Sequence, residues 1–505
     1  MAKTPRFDAY TRTIARFYEP LILLGILGRS CTPRSTTNYI SGSLAATRRR
    51  FLKNLAAVCD FTKGGATTTA IAVEDAAHCF RFWLATNHDS SAATATGFLR
   101  LVLAQLRDVC DLPDGPRLEE SERALASAYA AFASPRLKKE SKLLFKFAQR
   151  CREALEAQPD GRDADLITWL GRFEPARRED LLGLCQVAYE SRHDAQARRV
   201  EKLGADAEDG SAPGTEVLAF RGLRHFIGRL AAHVRVVKEL VGDARRVRPL
   251  LETFEVAAVS APRCAARPRA DGLTTLPGML NRMLGSNGDS GRRAELLQQL
   301  QRLDQSLQLE AAVLAKYDDD CFAPRMHAEV QLLDHFHARR LAFVADDRFV
   351  ACSKAACFCC RLYFRHHAAR PVEPDSHGNL YLNWGLARLP GGSGDAGWLE
   401  QRRLLNKMIH DIRDVALERI AAFGAPGAPS PDSLSGITRS SGAAAAAAGS
   451  DDDDALLVSD DGTSHGDDWD RDPSGDDESG LDSDPSPLGG ASLDDMAELL
   501  HAQTL

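Results

Sequence analysis

The sequence predicts a mixed α/β fold in three parts: a large, mostly helical region over residues 1–300, an α/β unit over 301–424, and an acidic tail over 425–505. Three observations support this division. Apolar residues recur at helical spacing through much of the N-terminal region. From about Asp318 onward, short β-like runs alternate with helical stretches, the pattern of an α/β unit. From Ala425 to Leu505 there are 19 acidic and 2 basic residues, a net charge of −17, which leaves the rest of the chain at +10.

Composition narrows the function classes. A chain of 505 residues with 44% apolar and 26% charged residues is long and apolar enough for a sizeable core. Collagen, a disulfide miniprotein and a wholly disordered chain are excluded. The longest apolar run, Leu21-Ile22-Leu23-Leu24-Gly25-Ile26-Leu27, is far shorter than the roughly 20 residues a membrane-spanning helix needs. Met1-Ala2-Lys3-Thr4-Pro5-Arg6 leads into no signal-peptide apolar stretch, so an intracellular location, cytoplasmic or nuclear, is expected. In that reducing compartment, clustered members of the twelve cysteines bind metal or do chemistry more often than they pair as disulfides. The modest positive charge of the body is compatible with a polyanionic partner.

Along the chain, Lys63-Gly64-Gly65 lacks the spacing of a phosphate loop and reads as a helix-joining turn. In Glu216–Leu240 the residues Val217, Phe220, Leu223, Ile227, Leu230, Val234 and Val237 form one apolar face. Arg292–Leu314 repeats the pattern with Leu296, Leu300, Leu303, Leu307 and Leu314. Pro113–Pro116, Gly204–Gly214 and Pro262–Pro268 read as loops. Phe254–Val259 is the candidate for a first strand of the α/β unit, so its sheet begins at about 250–260. A helix follows over Met326–Arg340, then a β-like run over Arg348–Ser353 and a second helix from Cys357 through Phe364. Another β-like run spans Leu380–Trp384 after the turn residues His377-Gly378-Asn379, and a last helix covers Trp398–Phe423. This alternation favours a parallel sheet. The tail, with Ala443–Ala448 and Asp451–Asp454, reads as disordered. At its end Leu493, Met496, Leu499 and Leu500 share a helical face after Ser492. They read either as a frayed terminus or as a short helix over 492–502 that docks on a protein partner or on the basic body.

The chemistry-bearing residues lie in the α/β unit. His327-Ala328-Glu329 opens one expected helix, and Cys357-Phe358-Cys359-Cys360 opens the next. Each motif alone is weak, but their order, separation and shared placement at helix starts make the pair specific. One imidazole and two thiolates, from His327, Cys357 and Cys360, supply three tetrahedral zinc ligands and leave a fourth position for water. A helix N-terminus favours thiolate over thiol. On a regular helix Glu329 does not share the face of His327. At a helix start its longer side chain reaches a bound water, whose proton it can take and pass to a leaving amine. The competing readings are a surface histidine, a set of buried cysteines, and a structural zinc site of Cys352, Cys357, Cys359 and Cys360. Cys352 and Cys359 read as core, and His366-His367 as a basic surface pair. Lys354, Arg361, Arg365 and Arg370, interleaved with Phe358, Tyr363, Phe364, Tyr381 and Trp384, could hold a single strand by stacking. The plainer reading, a solvated helix face over an aromatic core, prevails.

These residues resemble the zinc-dependent cytidine-deaminase superfamily, whose signature is H-x-E followed by P-C-x-x-C. Within it the chain is similar to the OTT-type deaminase-like lineage common in fungi. The similarity rests on His327–Leu333, Phe349–Cys360, Val372-Glu373-Pro374, Ser376–Asn379 and Tyr381–Trp384, and covers about 317–384. Upstream, Cys59-Asp60-Phe61-Thr62-Lys63-Gly64-Gly65 and Phe82-Trp83-Leu84-Ala85 look similar in places. The resemblance implies a cytidine-deaminase-like three-layer α/β zinc domain, with Zn2+ held by His327, Cys357 and Cys360 and protons shuttled by Glu329. It also implies hydrolytic loss of ammonia from a cytosine- or adenine-type base, in nucleic acid or a nucleoside. Ala356 stands where the signature has proline, which is expected to cost rigidity rather than a ligand. The alternative is an inactive deaminase-fold scaffold with structural zinc, which would have no need of Glu329.

Overall fold

The computed structural model describes residues 7–28, 30–36, 42–157, 163–175, 179–205, 214–265, 269–285, 289–318 and 324–422. The expected tail over 425–505, with its terminal helix over 492–502, lies outside the described residues.

The chain opens with α1 (Ala9–Leu27), started by the Asp8 carboxylate, which accepts from the N–H groups of Tyr10 and Thr11. Leu21–Leu24 and Leu27 of the apolar run read from the sequence are buried on this helix. Ser43 caps α2 (Leu44–Cys59) through a hydrogen bond from the Ala46 N–H. Two strands follow, β1 (Thr69–Asp75) and β2 (Phe80–Thr86), paired antiparallel from Thr69↔Thr86 to Asp75↔Phe80. A helical array comes next: α3 (Asp89–Val109), α4 (Pro116–Phe132), α5 (Ser134–Glu156), α6 (Ala164–Leu170), α7 (Leu181–Ser191), α8 (Ala195–Leu203) and the long α9 (Thr215–Arg246). After α10 (Pro249–Glu252) comes β3 (Phe254–Ala258), then α11 (Leu276–Leu284), α12 (Ser290–Leu307) and α13 (Leu309–Asp318). The last part holds α14 (Ala328–Arg339), β4 (Ala351–Cys352), α15 (Phe358–His366) and α16 (Trp398–Ala422).

The sheet order is β3-β2-β1-β4. β2 runs parallel to β3, while β4 pairs antiparallel with β1 through Ala70↔Cys352 and Ile71↔Ala351. Side chains alternate across the sheet. Ile71, Val73, Phe82 and Leu84 pack into the core formed with α2, α3, α5 and α9. Ala70, Ala72 and Ala85 face the core that includes α1, α14, α15 and α16. Helices therefore cover both faces of a small sheet. No helix among the described residues is long and apolar enough to cross a membrane.

Several expectations change. β1 and β2 lie within the stretch read as helical, and β1 pairs with β4, so strands from both sides of residue 300 form one sheet. The Phe254–Val259 candidate is β3. The expected parallel sheet is mixed, because the neighbour of β4 comes from an antiparallel hairpin rather than from the adjacent helix–strand unit. Lys63-Gly64-Gly65 joins a helix to a strand, not two helices. The single helix over Arg292–Leu314 is two, broken at Gln308, whose φ is +49°. Leu380–Trp384 forms no strand; its backbone makes one isolated bridge, Arg325↔Trp384, and a turn, with the Trp384 N–H donating to Tyr381 O at 3.1 Å.

Ion pairs stitch the helical array together. Glu140 on α5 is fully buried and accepts from the Arg136 Nε at 3.1 Å and from the Arg229 Nε on α9 at 3.0 Å. Burial alone would raise its pKa, but Arg229 and Arg136 outweigh that and hold the carboxyl well below the usual range. Beside this pair His233 stacks on Tyr129, with ring centroids 4.8 Å apart. Burial pushes its imidazole down to about 4, against the weaker pull of Glu140.

A folded-state pKa below the ordinary value of 6.5 means that the unfolded chain binds a proton at His233 more readily. This contribution to stability is complete above that ordinary value and is lost as pH falls toward about 4. His233→Phe, which keeps the stacking and removes the titration, should therefore gain on the wild type as pH falls through this window. The gain should reach at most about 3 kcal/mol, read from denaturant midpoints at a series of pH values.

Candidate functional site

Two helix starts converge on one place. His327 is the N-cap of α14, with extended backbone (φ −71°, ψ 151°), and Cys357 is the N-cap of α15 (φ −73°, ψ 171°). α14 is anchored from the sheet. Asn87, just after β2, accepts the Ala328 N–H on Oδ1 at 2.8 Å. The Gln331 Nε2 donates to Thr86 O at 3.1 Å and to Met326 O at 2.8 Å. α15 is anchored by the loop over 376–379. The Phe358 N–H donates to Asn379 O at 2.9 Å, and Ser376 Oγ donates to Ala356 O at 2.8 Å. Gly378 makes this loop possible. Its φ is +72°, and a Cβ there would lie 1.9 Å from Thr32 O.

The side chains meet where these starts meet. The His327 Nδ1 lies 3.6 Å from Cys357 Sγ and 3.3 Å from Cys360 Sγ. Tetrahedral zinc with ordinary Zn–N and Zn–S bonds separates such ligands by about 3.6 Å. Among the described residues this is the one group of three or more His, Cys, Asp or Glu side chains whose ligand atoms all lie within 4.8 Å of one another. The donor set and its spacing fit zinc.

The electrostatics favour a thiolate at Cys357. Burial alone would raise the Cys357 thiol, but hydrogen bonds from Cys360 and His327 and the imidazolium charge hold it well below its ordinary value. Burial, then the Cys357 sulfur and the Glu329 carboxylate, push Cys360 well above. His327 is raised: burial opposes its charge, and the Cys357 thiolate outweighs that. The Trp384 Nε1 donates to Cys360 Sγ at 3.1 Å, a hydrogen bond that orients this candidate ligand.

Glu329 sits in the first turn of α14, buried at 4% exposure. Because His327 caps the helix rather than lying within it, the expected mismatch of faces does not arise. Cys352 Sγ donates to Glu329 Oε2 at 3.7 Å. A cavity of about 20 Å³ beside the carboxylate is lined by Cys352, Lys53, Lys354, Ala356 and Asp375, among others. That volume holds about one water. Lys53 forms an ion pair with Asp375.

The structure thus brings together His327, Cys357, Cys360 and Glu329. Cys359 is core, as expected. Cys352 is more than a core residue, since its thiol touches Glu329. Phe358, Tyr363, Phe364 and Trp384 are buried, while Arg361 and Arg365 pair with Glu373, which is the plainer reading of that stretch. His367 is buried against Asp334 instead of lying on the surface, and His366 pairs with Asp411 at 2.8 Å. The proline position of the signature has its own explanation. The Ala356 N–H donates to Asp375 O at 2.7 Å, a bond that proline could not make. Sequence reasoning missed Lys53 and Asn87 as neighbours of the site, and it placed Trp384 nearby without its hydrogen bond to Cys360. Only Asn87 was hinted at, by its nearness to Phe82–Ala85.

Residues 326–388 match the model of the OTT_1508_deam-like deaminase family, which assigns this segment to a deaminase family. No curated protein and no solved structure matches the chain.

Wild-type protein should contain one zinc per chain by elemental analysis, and His327→Ala and Cys357→Ala should contain none. Zinc retained by folded His327→Ala would point to an all-cysteine site. Trp384→Phe should keep the metal but bind it about 10-fold more weakly or worse in competition with a chelator.

Proposed function

We propose that the chain is a zinc-dependent hydrolytic deaminase acting on a cytosine- or adenine-type base, presented in nucleic acid or in a nucleoside. One observation carries the reading: a buried carboxylate, Glu329, lies beside a His327–Cys357–Cys360 ligand set within the segment that matches a deaminase family. In this reading the helix-flanked sheet with α14 and α15 is the core of a deaminase-like three-layer zinc domain.

His327 Nδ1, Cys357 Sγ and Cys360 Sγ would hold the ion. Zinc, when bound, supplies a Lewis acid that lowers the pKa of a water at neutral pH. Every other step falls to the chain. Glu329 accepts a proton from the attacking water and returns it to the departing nitrogen, so that ammonia leaves uncharged. Cys352 holds the carboxylate in place through its S–H. The buried surroundings exclude bulk water from the proton path. The cavity beside Glu329 holds about one water, so a base enters only as its lining, including the Lys53–Asp375 pair, moves apart.

The test pairs wild type with Glu329→Gln at equal zinc loading, on cytidine, adenosine and single-stranded DNA and RNA. Ammonia release and the mass of the product base are the readouts. The variant should keep its zinc and lose about 10²- to 10⁴-fold in turnover. Equal turnover in the two proteins would remove Glu329 from the mechanism. Inert, zinc-loaded wild type on every substrate would favour the scaffold reading, in which the metal is structural.

A further inference from the structure

We propose that Asp60 is a positioning residue for the His327–Cys357–Cys360 site and acts on it through Ser353. The proposal rests on the reading of that cluster as a metal site. It assigns a role to the Cys59–Gly65 segment and to the helical array behind it.

Asp60 follows α2 directly and is fully buried. Thr67 Oγ1 donates to its Oδ1 at 2.7 Å, and Ser353 Oγ donates to its Oδ2 at 3.1 Å. The Arg136 Nη1 lies 3.4 Å from Oδ2 and donates to Asp60 O at 2.8 Å. One carboxylate thus joins the α2–β1 loop, the helical array and the residue just after β4.

Ser353 is held on three sides. Besides the bond to Asp60, its N–H donates to Thr69 O at 2.9 Å, and its Oγ accepts from the Thr69 N–H at 3.2 Å. The next residue is gripped by the same loop, since Lys354 Nζ donates to Gly64 O at 2.5 Å. Ser353 and Lys354 begin the turn from β4 to Cys357. Cys352, immediately before them, touches Glu329. A displaced Ser353 therefore disturbs the carboxylate wall on one side and the first thiolate on the other.

The anchor itself resists movement. Arg136 is tied to Glu140, and Glu140 to Arg229 on α9, all at side-chain exposures of 13% or less. Breaking any link strands a buried charge, so the chain of pairs holds one arrangement. Loss of a partner bonded directly to a ligand costs about 10- to 100-fold in metal affinity, and Asp60 and Ser353 act one step further out, through the backbone, so the lower end of that range is expected.

The test uses full-length protein carrying cobalt(II) in place of zinc, with the thiolate-to-cobalt absorption band as one readout and chelator-competition zinc affinity as the other. Ser353→Ala, Asp60→Asn and the double variant are compared with Ser353→Thr, which keeps the hydroxyl. Each disruptive single variant should weaken zinc binding about 10-fold or more and shift the cobalt band. The double variant should be no worse than the weaker single, and Ser353→Thr should restore wild-type behaviour. If Asp60→Asn fails to fold, Ser353→Ala carries the test, because it leaves the Asp60–Arg136 pair intact. Wild-type affinity and spectrum in folded Ser353→Ala would overturn the proposal, even if its denaturation midpoint fell. Folded wild type with no cobalt band would instead overturn the metal reading, and this inference with it.

Discussion

Cys357 ends the extended backbone that leaves β4 and caps α15, so one residue sets both where the helix begins and where its sulfur points. That cap depends on the loop over 376–379, which binds Ala356 and Phe358 through its backbone and Ser376 Oγ. The loop in turn leans on the N-terminal segment. Cys31 N–H donates to Gly378 O at 3.0 Å, and Ser35 and Ser376 exchange two backbone hydrogen bonds of 2.9 Å. The N-terminal ends of α14 and α15 meet here, and their dipoles favour negative charge, as does the Cys360 N–H that donates to Cys357 Sγ at 3.4 Å. A thiolate and a buried carboxylate are tolerated there for this reason.

The helical array is built into the site through the sheet. β1 pairs with β4 on one edge and with β2 on the other, so the short strand leading to the cysteines is held by a hairpin remote in sequence. α2 contributes Lys53 to the cavity beside Glu329 and Arg50 to an ion pair with Asp243 on α9. Arg48 and Arg49 on the same helix both pair with Asp347, close to β4. The arginine triplet of α2 thus has structural partners throughout, which explains its charge without invoking a polyanion.

Much of the site was legible because its residues lie in two short segments whose local structure is self-evident. The positions of His327 and Glu329 at one helix start, and of Cys357 and Cys360 at another, follow from helical patterning and capping preference. The strands at 69–86 were not legible. Thr69–Asp75 and Phe80–Thr86 are short, mostly buried runs whose partners lie far away in sequence, so neither length nor alternation marks them strongly. The run at 380–384 failed in the opposite direction. Its aromatic residues look like a strand, yet Trp384 is buried to donate to Cys360 Sγ and its backbone turns instead of pairing along a ladder.

The sequence alone determined the candidate ligand types, their order and their placement at helix starts, because those depend on residues within one or two helical turns of each other. Only the tertiary structure decided that the two starts face one another, that Cys352 touches Glu329, and that Asp60 is bonded to Ser353 across nearly 300 positions of the chain. Such contacts depend on which face of a sheet a strand presents and on which remote hairpin it joins. Those choices are settled by burying the whole core at once, and no local stretch of sequence encodes them.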